Sequence, residues 1–254
     1  MSIIHLLVLA VGVVIGFLGG LFGKGGSAIA TPLLSLIGVP GFVAVAAPLP
    51  ATIPGTFVAS AEYWKSHLLD WQIIIWSIAI GTPATILGSY LTEFTGSKPL
   101  LVLTGILVLG FGLSFLFSRE KKNDDTSDAA SSEKPPHWRL RLILVATGVG
   151  FVSGLLANSG GFLLAPSYAK FLDQPIKKAF ACSLAVSMVL AIPGTVVHAW
   201  LGHIDWVVTL FLAVGSVPFS YLGAKVAIKA RGRKLERWYG VVLTALGVFF
   251  LSQL

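Results

Sequence analysis

An apolar, glycine-broken segment occurs twice in this chain, and that repeat constrains the fold more than any other feature. Gly16-Phe17, Gly20-Leu21, Gly26 and Pro32 recur as Gly150-Phe151, Gly154-Leu155, Gly160 and Pro166 at a constant offset of 134. The first copy breaks at Gly23-Lys24-Gly25-Gly26-Ser27, the second at Ala157-Asn158-Ser159-Gly160-Gly161. Lys24 is the one basic residue inside such a break, and Asn158 stands in its place in the second copy. At an offset of 135 the match continues through Pro40 and Pro175, Leu49 and Leu184, Asp70-Trp71 and Asp205-Trp206, and Leu87-Gly88 and Leu222-Gly223. It runs on through Leu100 and Leu235, Gly105 and Gly240, and Gly112 and Gly247. One register over most of each half is the mark of an internal duplication.

The medium this duplication folds in follows from composition. Of 254 residues 55% are hydrophobic and only 11% charged, where a soluble domain carries roughly 25% charged residues. An all-α integral membrane protein is expected, because a helix satisfies its own backbone in lipid. The 28 glycines and 13 prolines suit membrane helices that are broken or closely packed. A single cysteine, Cys182, excludes an intrachain disulfide framework and a cysteine metal cluster; no cofactor or metal is expected. The net charge of +7 is no nucleic-acid signal, since the basic residues lie between apolar segments and act as topology determinants. The first apolar run, Ile3 to Phe22, has no basic stretch before it and no A-x-A site after it, so no cleaved signal peptide is expected.

A charged stretch, 119–137, holds five of the 11 acidic residues and reads as a solvated linker. It separates a first repeat, 1–118, from a second, 138–254. Each repeat contains five apolar segments: about 3–22, 27–38, 42–65, 70–92 and 99–118, then 139–157, 161–172, 178–200, 205–226 and 236–253. The second segment of each is short. Twelve helical residues reach about 18 Å against a hydrocarbon core of ~30 Å, so these segments read as return limbs of re-entrant hairpins. Each repeat is then three transmembrane helices plus one glycine-broken hairpin.

Basic residues set the sidedness. With the linker in the cytoplasm, 16 of 18 lysines and arginines are inside; Lys98 alone is outside and Lys24 sits in its break. Six tryptophans, from Trp64 to Trp238, fall near span ends, where an aromatic belt forms. The termini lie outside, and the odd number of crossings per half makes the two repeats inverted. Facing broken helices in inverted repeats are the architecture of many secondary transporters.

The breaks are suited to an anion. Helices starting after Ser27 and after Gly161 present free N–H groups and a positive dipole end. Gly25, Gly26, Gly160 and Gly161 let the backbone approach a ligand; Ser27, Asn158 and Ser159 add neutral donors, and Lys24 adds a charge. A lysine in the membrane costs roughly 2.5–3.5 kcal/mol, and no embedded carboxylate is an evident partner, so a small anionic substrate is the simplest counter-charge. Two other placements stand beside this one. If the first segment spans fully, Lys24 lies at the cytoplasmic interface; and Asn158 and Ser159 can serve as helix caps alone. Asp70-Trp71 and Asp205-Trp206 read as helix caps with interfacial anchors. Glu62 and His198, near span ends, are candidates for a proton relay. Small residues from Gly105 to Gly112 can pack helices within a protomer or between protomers of a homo-oligomer.

The motifs GFLGGLFGKGGSAIATPLL and GFVSGLLANSGGFLLAPSY, with HLLDW and GHIDW further on, resemble the twin glycine-rich motifs of the sulfite exporter TauE/SafE family. The resemblance covers both halves and implies an eight-pass transporter of the prokaryotic inner membrane for sulfite, sulfoacetate or related organosulfonates. The chain departs from the family's G-x-G-G-G run at both breaks. Its G-T-S-L stretch stands here as Ala181-Cys182-Ser183-Leu184 and, in the first half, Ala46-Ala47-Pro48-Leu49. Ser183 is a third candidate contact. An alternating-access exporter is thus the leading expectation. Beside it stand a lipid-phosphate flippase or phosphate-handling membrane enzyme, and an anion channel on the same scaffold. No catalytic motif favours the enzyme.

Overall fold

The duplicated pattern folds into helices throughout. The computed structural model describes residues 3–23, 27–91, 97–117, 136–156 and 159–252. The helices are α1 (Ile3–Phe22), α2 (Ser27–Leu36), α3 (Gly41–Ala46), α4 (Pro48–Lys65), α5 (Trp71–Leu91), α6 (Ser97–Leu116), α7 (Trp138–Leu155), α8 (Gly161–Phe171), α9 (Ile176–Trp200), α10 (Trp206–Lys229) and α11 (Gly232–Ser252). Among the described residues there is no strand. Among the described residues six stretches are long and apolar enough to cross a membrane: α1, α3 with α4 from Val43, α5, α7, α9 and α10. The chain is a multi-pass membrane protein. Most of the 119–137 linker lies outside the described residues.

The expected segments reappear. The third segment of the first half runs from Val43 to Lys65 as α3 and α4, with Ala47 between them in helical conformation and Pro48 donating no N–H. Its counterpart α9 runs unbroken for 25 residues, with Ser183 at the position equivalent to Pro48. Proline suits a helix start because its missing N–H has no partner there anyway. The caps read from sequence are present in both halves. Asp70 Oδ1 accepts from Gln72 N–H at 3.0 Å and Asp205 Oδ1 from Val207 N–H at 2.8 Å.

Helix pairing repeats as the sequence does, but across the halves. In the α1–α10 seam, Gly16 backs onto the Ser216 backbone and Gly20 onto Ser220; in the α5–α7 seam, Gly150 backs onto Gly81 and Gly154 onto Thr85. These contacts correspond one to one under the sequence offset. Any Cβ at these glycines would run into backbone, so each seam is a close approach that only glycine permits. Residue numbers rise together along both seams, which makes both pairs parallel. The equivalent helices α6 and α11 pack on each other antiparallel, with Gly112 against Thr244 and Gly247 against Leu109. α9 lies at the centre, against α4, α5 and α8. Outward faces are apolar, and Trp64, Trp71, Trp200, Trp206 and Trp238 are exposed at helix ends, as an interfacial belt requires.

Candidate functional site

Each glycine break contains a left-handed glycine, the first beside α9 and the second beside α7. α1 stops at Phe22 and Gly23 follows with φ +65°; Gly160, φ +73°, precedes α8. Both conformations favour glycine. A Cβ on Gly23 would meet the Phe180 backbone, and one on Gly160 would meet Ser153 Oγ. Both turns are therefore pressed against neighbouring helices rather than lying free.

Ser183 joins the two breaks. Its buried hydroxyl lies 3.0 Å from the Gly23 carbonyl oxygen and 3.0 Å from the Gly161 carbonyl oxygen. Those oxygens belong to different repeats, yet no more than twice that distance separates them. A hydroxyl carries one hydrogen, so Ser183 serves one carbonyl at a time and holds the other close. Further hydroxyls brace the adjoining turns. Tyr63 donates to the Gly20 carbonyl at 2.9 Å, Ser220 to the Gly16 carbonyl at 3.2 Å, and Tyr239 to the Phe162 carbonyl at 3.4 Å.

The start of α8 has donors to spare. Leu163 and Leu164 N–H both bond the Gly160 carbonyl at 3.0 Å, and no side chain caps the helix at Gly160. The Gly161 and Phe162 N–H groups have no acceptor among the described residues. Two open donors at the positive end of a helix dipole favour an anion. Next to the breaks, Phe22, Phe180, Tyr239 and Phe115 form a buried ring cluster, with Phe180 and Tyr239 centroids 4.9 Å apart and Phe22 and Tyr239 5.4 Å apart.

Of the residues singled out from sequence, Ser159, Gly160, Gly161 and Ser183 come together here, with Ser159 buried. Ser27 opens α2. Lys24, Gly25, Gly26 and Asn158 lie outside the described residues. Glu62 pairs with Lys65 at 2.8 Å, and His198 Nδ1 lies 3.2 Å from His203 Nδ1; no contact joins Glu62 to His198. Sequence reading missed Tyr63 and Tyr239. It also missed the hydroxyl pairs Thr52/Thr56 and Ser216/Ser220. Their four-residue spacing within apolar helices was the available signal, since that spacing puts both hydroxyls on one face.

Membrane-crossing helices, with Gly23 and Gly161 of the two repeats brought to one serine, agree with the class that the chain's relatives give, a membrane transporter. The chain belongs to the sulfite exporter TauE/SafE family, whose sequence model matches residues 8–250. It is 27% identical to a "Probable membrane transporter protein" of Xylella fastidiosa (strain 9a5c), covering 94% of this chain and 92% of that protein. It is 26% identical to the "Probable membrane transporter protein YunE" of Bacillus subtilis, covering 97% and 96%. A third protein of that description, from Methanocaldococcus jannaschii, is also 26% identical over 96% of this chain and 94% of its own length.

Proposed function

We propose that this protein exports small sulfur-containing anions (sulfite, sulfoacetate or other organosulfonates) across the prokaryotic inner membrane by alternating access. The observation that carries the proposal is the Ser183 hydroxyl, 3.0 Å from a carbonyl of each break. That contact brings backbone from both repeats to one place, where we put the anion. The anion sits there against the open Gly161 and Phe162 N–H groups, with Lys24, Gly25, Gly26 and Ser27 from the first break and Asn158 and Ser159 from the second.

The two repeats are inverted in this account, each carrying its break as a re-entrant hairpin. Support comes from α6 and α11, equivalent in sequence and antiparallel in space, and from seams that exchange partners between the halves. The short α2 and α8, of 10 and 11 residues, reach only about 15–17 Å. With the linker cytoplasmic and both termini outside, Lys177 and Lys178 mark the inner end of α9. Phe180 then places the ring cluster on the cytoplasmic side of Ser183. Those rings close the inward path, and loading from the cytoplasm requires them to part. An inside-negative potential drives a single negative charge outward by about 2.3 kcal/mol per 100 mV.

Counterflow tests the substrate class. Liposomes holding the purified protein and preloaded with sulfoacetate are expected to accumulate trace labelled sulfite against its gradient. No accumulation with either anion, together with scrambling of a fluorescent lipid phosphate, would replace the exporter with a flippase. Single-channel conductance steps would replace it with a channel.

A further inference from the structure

A second polar site lies one helical turn before the first break, between α1, α4 and α10. It is a small, partly open cavity of about 10 Å³ bordered by Ile15, Gly16 and Gly19 of α1, Thr52 and Thr56 of α4, and Ser216 and Ser220 of α10. All four hydroxyl residues are at most 5% exposed. Their hydrogens are already used. Thr52 donates to the Leu49 carbonyl at 3.1 Å, Thr56 to Ile53 at 2.8 Å and Ser220 to Gly16 at 3.2 Å. Ser216 donates to Ala213 at 3.3 Å or Ala51 at 3.4 Å. With every hydroxyl hydrogen committed, the oxygens offer lone pairs only. Beside the apolar Ile15, the side-chain polar atoms that border the cavity are acceptors with no competing donor.

We propose that this cavity binds one dehydrated monovalent cation, sodium by size. Its volume matches about one water-sized centre. Neutral hydroxyl oxygens suit a hard monovalent cation, whereas divalent sites recruit carboxylates, and none borders the cavity. The placement links the site to transport. α1 and α4 belong to the first repeat and α10 to the second, so a bound cation ties the halves together beside the break. The duplication does not supply a second such site. The equivalent positions put Ala191 for Thr56, Gly81 for Ser216 and the side chain of Ser153 where Gly19 has none.

The test compares ions on the purified protein without any transported anion. Melting temperature is measured in chloride salts of sodium, potassium and choline at equal ionic strength, with labelled sodium to count sites. A saturable rise specific to sodium is expected, with close to one site per chain. In Thr56→Val, which keeps the side-chain shape, half-saturation is expected to move at least tenfold higher. Gly55→Ala, whose methyl would meet Ser220 Oγ at 2.8 Å, is expected to abolish the rise. Equal melting in all three salts, or a sodium response unchanged in both variants, overturns the site and leaves a cavity holding water. Should either variant fail to fold, the wild-type ion comparison and sodium count still decide. The outcome is separate from the substrate: sodium stabilisation without anion counterflow would sink the exporter alone, and counterflow without sodium stabilisation the cation site alone.

Discussion

The two repeats share a scaffold and differ where the breaks meet. The same glycines carry the α1–α10 and α5–α7 seams, and the same aspartate caps α5 and α10. At the third segment they part. The first repeat has Pro48, which donates no N–H; the second has Ser183 in α9, with its hydroxyl 3.0 Å from a carbonyl of each break. Duplication preserved what positions the helices, and divergence fell on the breaks and on the residue beside them. The proposed anion site is asymmetric in the same sense: it draws on Lys24 of one break, Asn158 of the other, and a hydroxyl that only the second copy has.

The seams give the sharpest test of equivalence. Gly20→Leu and Gly154→Leu should each destabilise the protein by about 3 kcal/mol or more, because the added side chain meets backbone that cannot yield. Loss of a monodisperse peak in detergent is the expected readout for both. If one variant is tolerated, the seams are not equivalent and the shared scaffold fails.

A smaller effect should separate the copies at the third segment. Ser183→Ala removes the one hydroxyl hydrogen that the Gly23 and Gly161 carbonyls share and should cost about 1–3 kcal/mol, read as a lower melting temperature. Pro48→Ala removes no hydrogen bond and should stay within about 1 kcal/mol. Similar losses at both positions would contradict the bridging role of Ser183. Smallest and symmetric are the caps. Asp70→Ala and Asp205→Ala should each cost about 1 kcal/mol and add in the double variant, since no partner is shared.

Much of this was legible because membrane burial and duplication leave plain marks. The apolar segments set α1, α5 and α9 within a residue or two, and Asp70 and Asp205 announced their helices two residues before the bonded N–H groups. Ser183 was also legible, through its place in a family motif, but not its geometry. Nothing local in sequence says that a hydroxyl on α9 reaches Gly23, 160 positions away. Tyr63 and Tyr239 escaped for the same reason: a tyrosine inside an apolar helix reads as core, and its acceptor lies on another helix.

The central claim is that the two breaks form one anion site with its charge on the first. Efflux of labelled sulfite from proteoliposomes under an imposed inside-negative potential tests it most directly. Wild-type flux should saturate and should rise with the potential. Lys24→Ala should reduce it at least tenfold at low sulfite, and Asn158→Ala only a few-fold. Flux no faster than from protein-free liposomes, or unchanged flux and affinity in Lys24→Ala, would contradict the account.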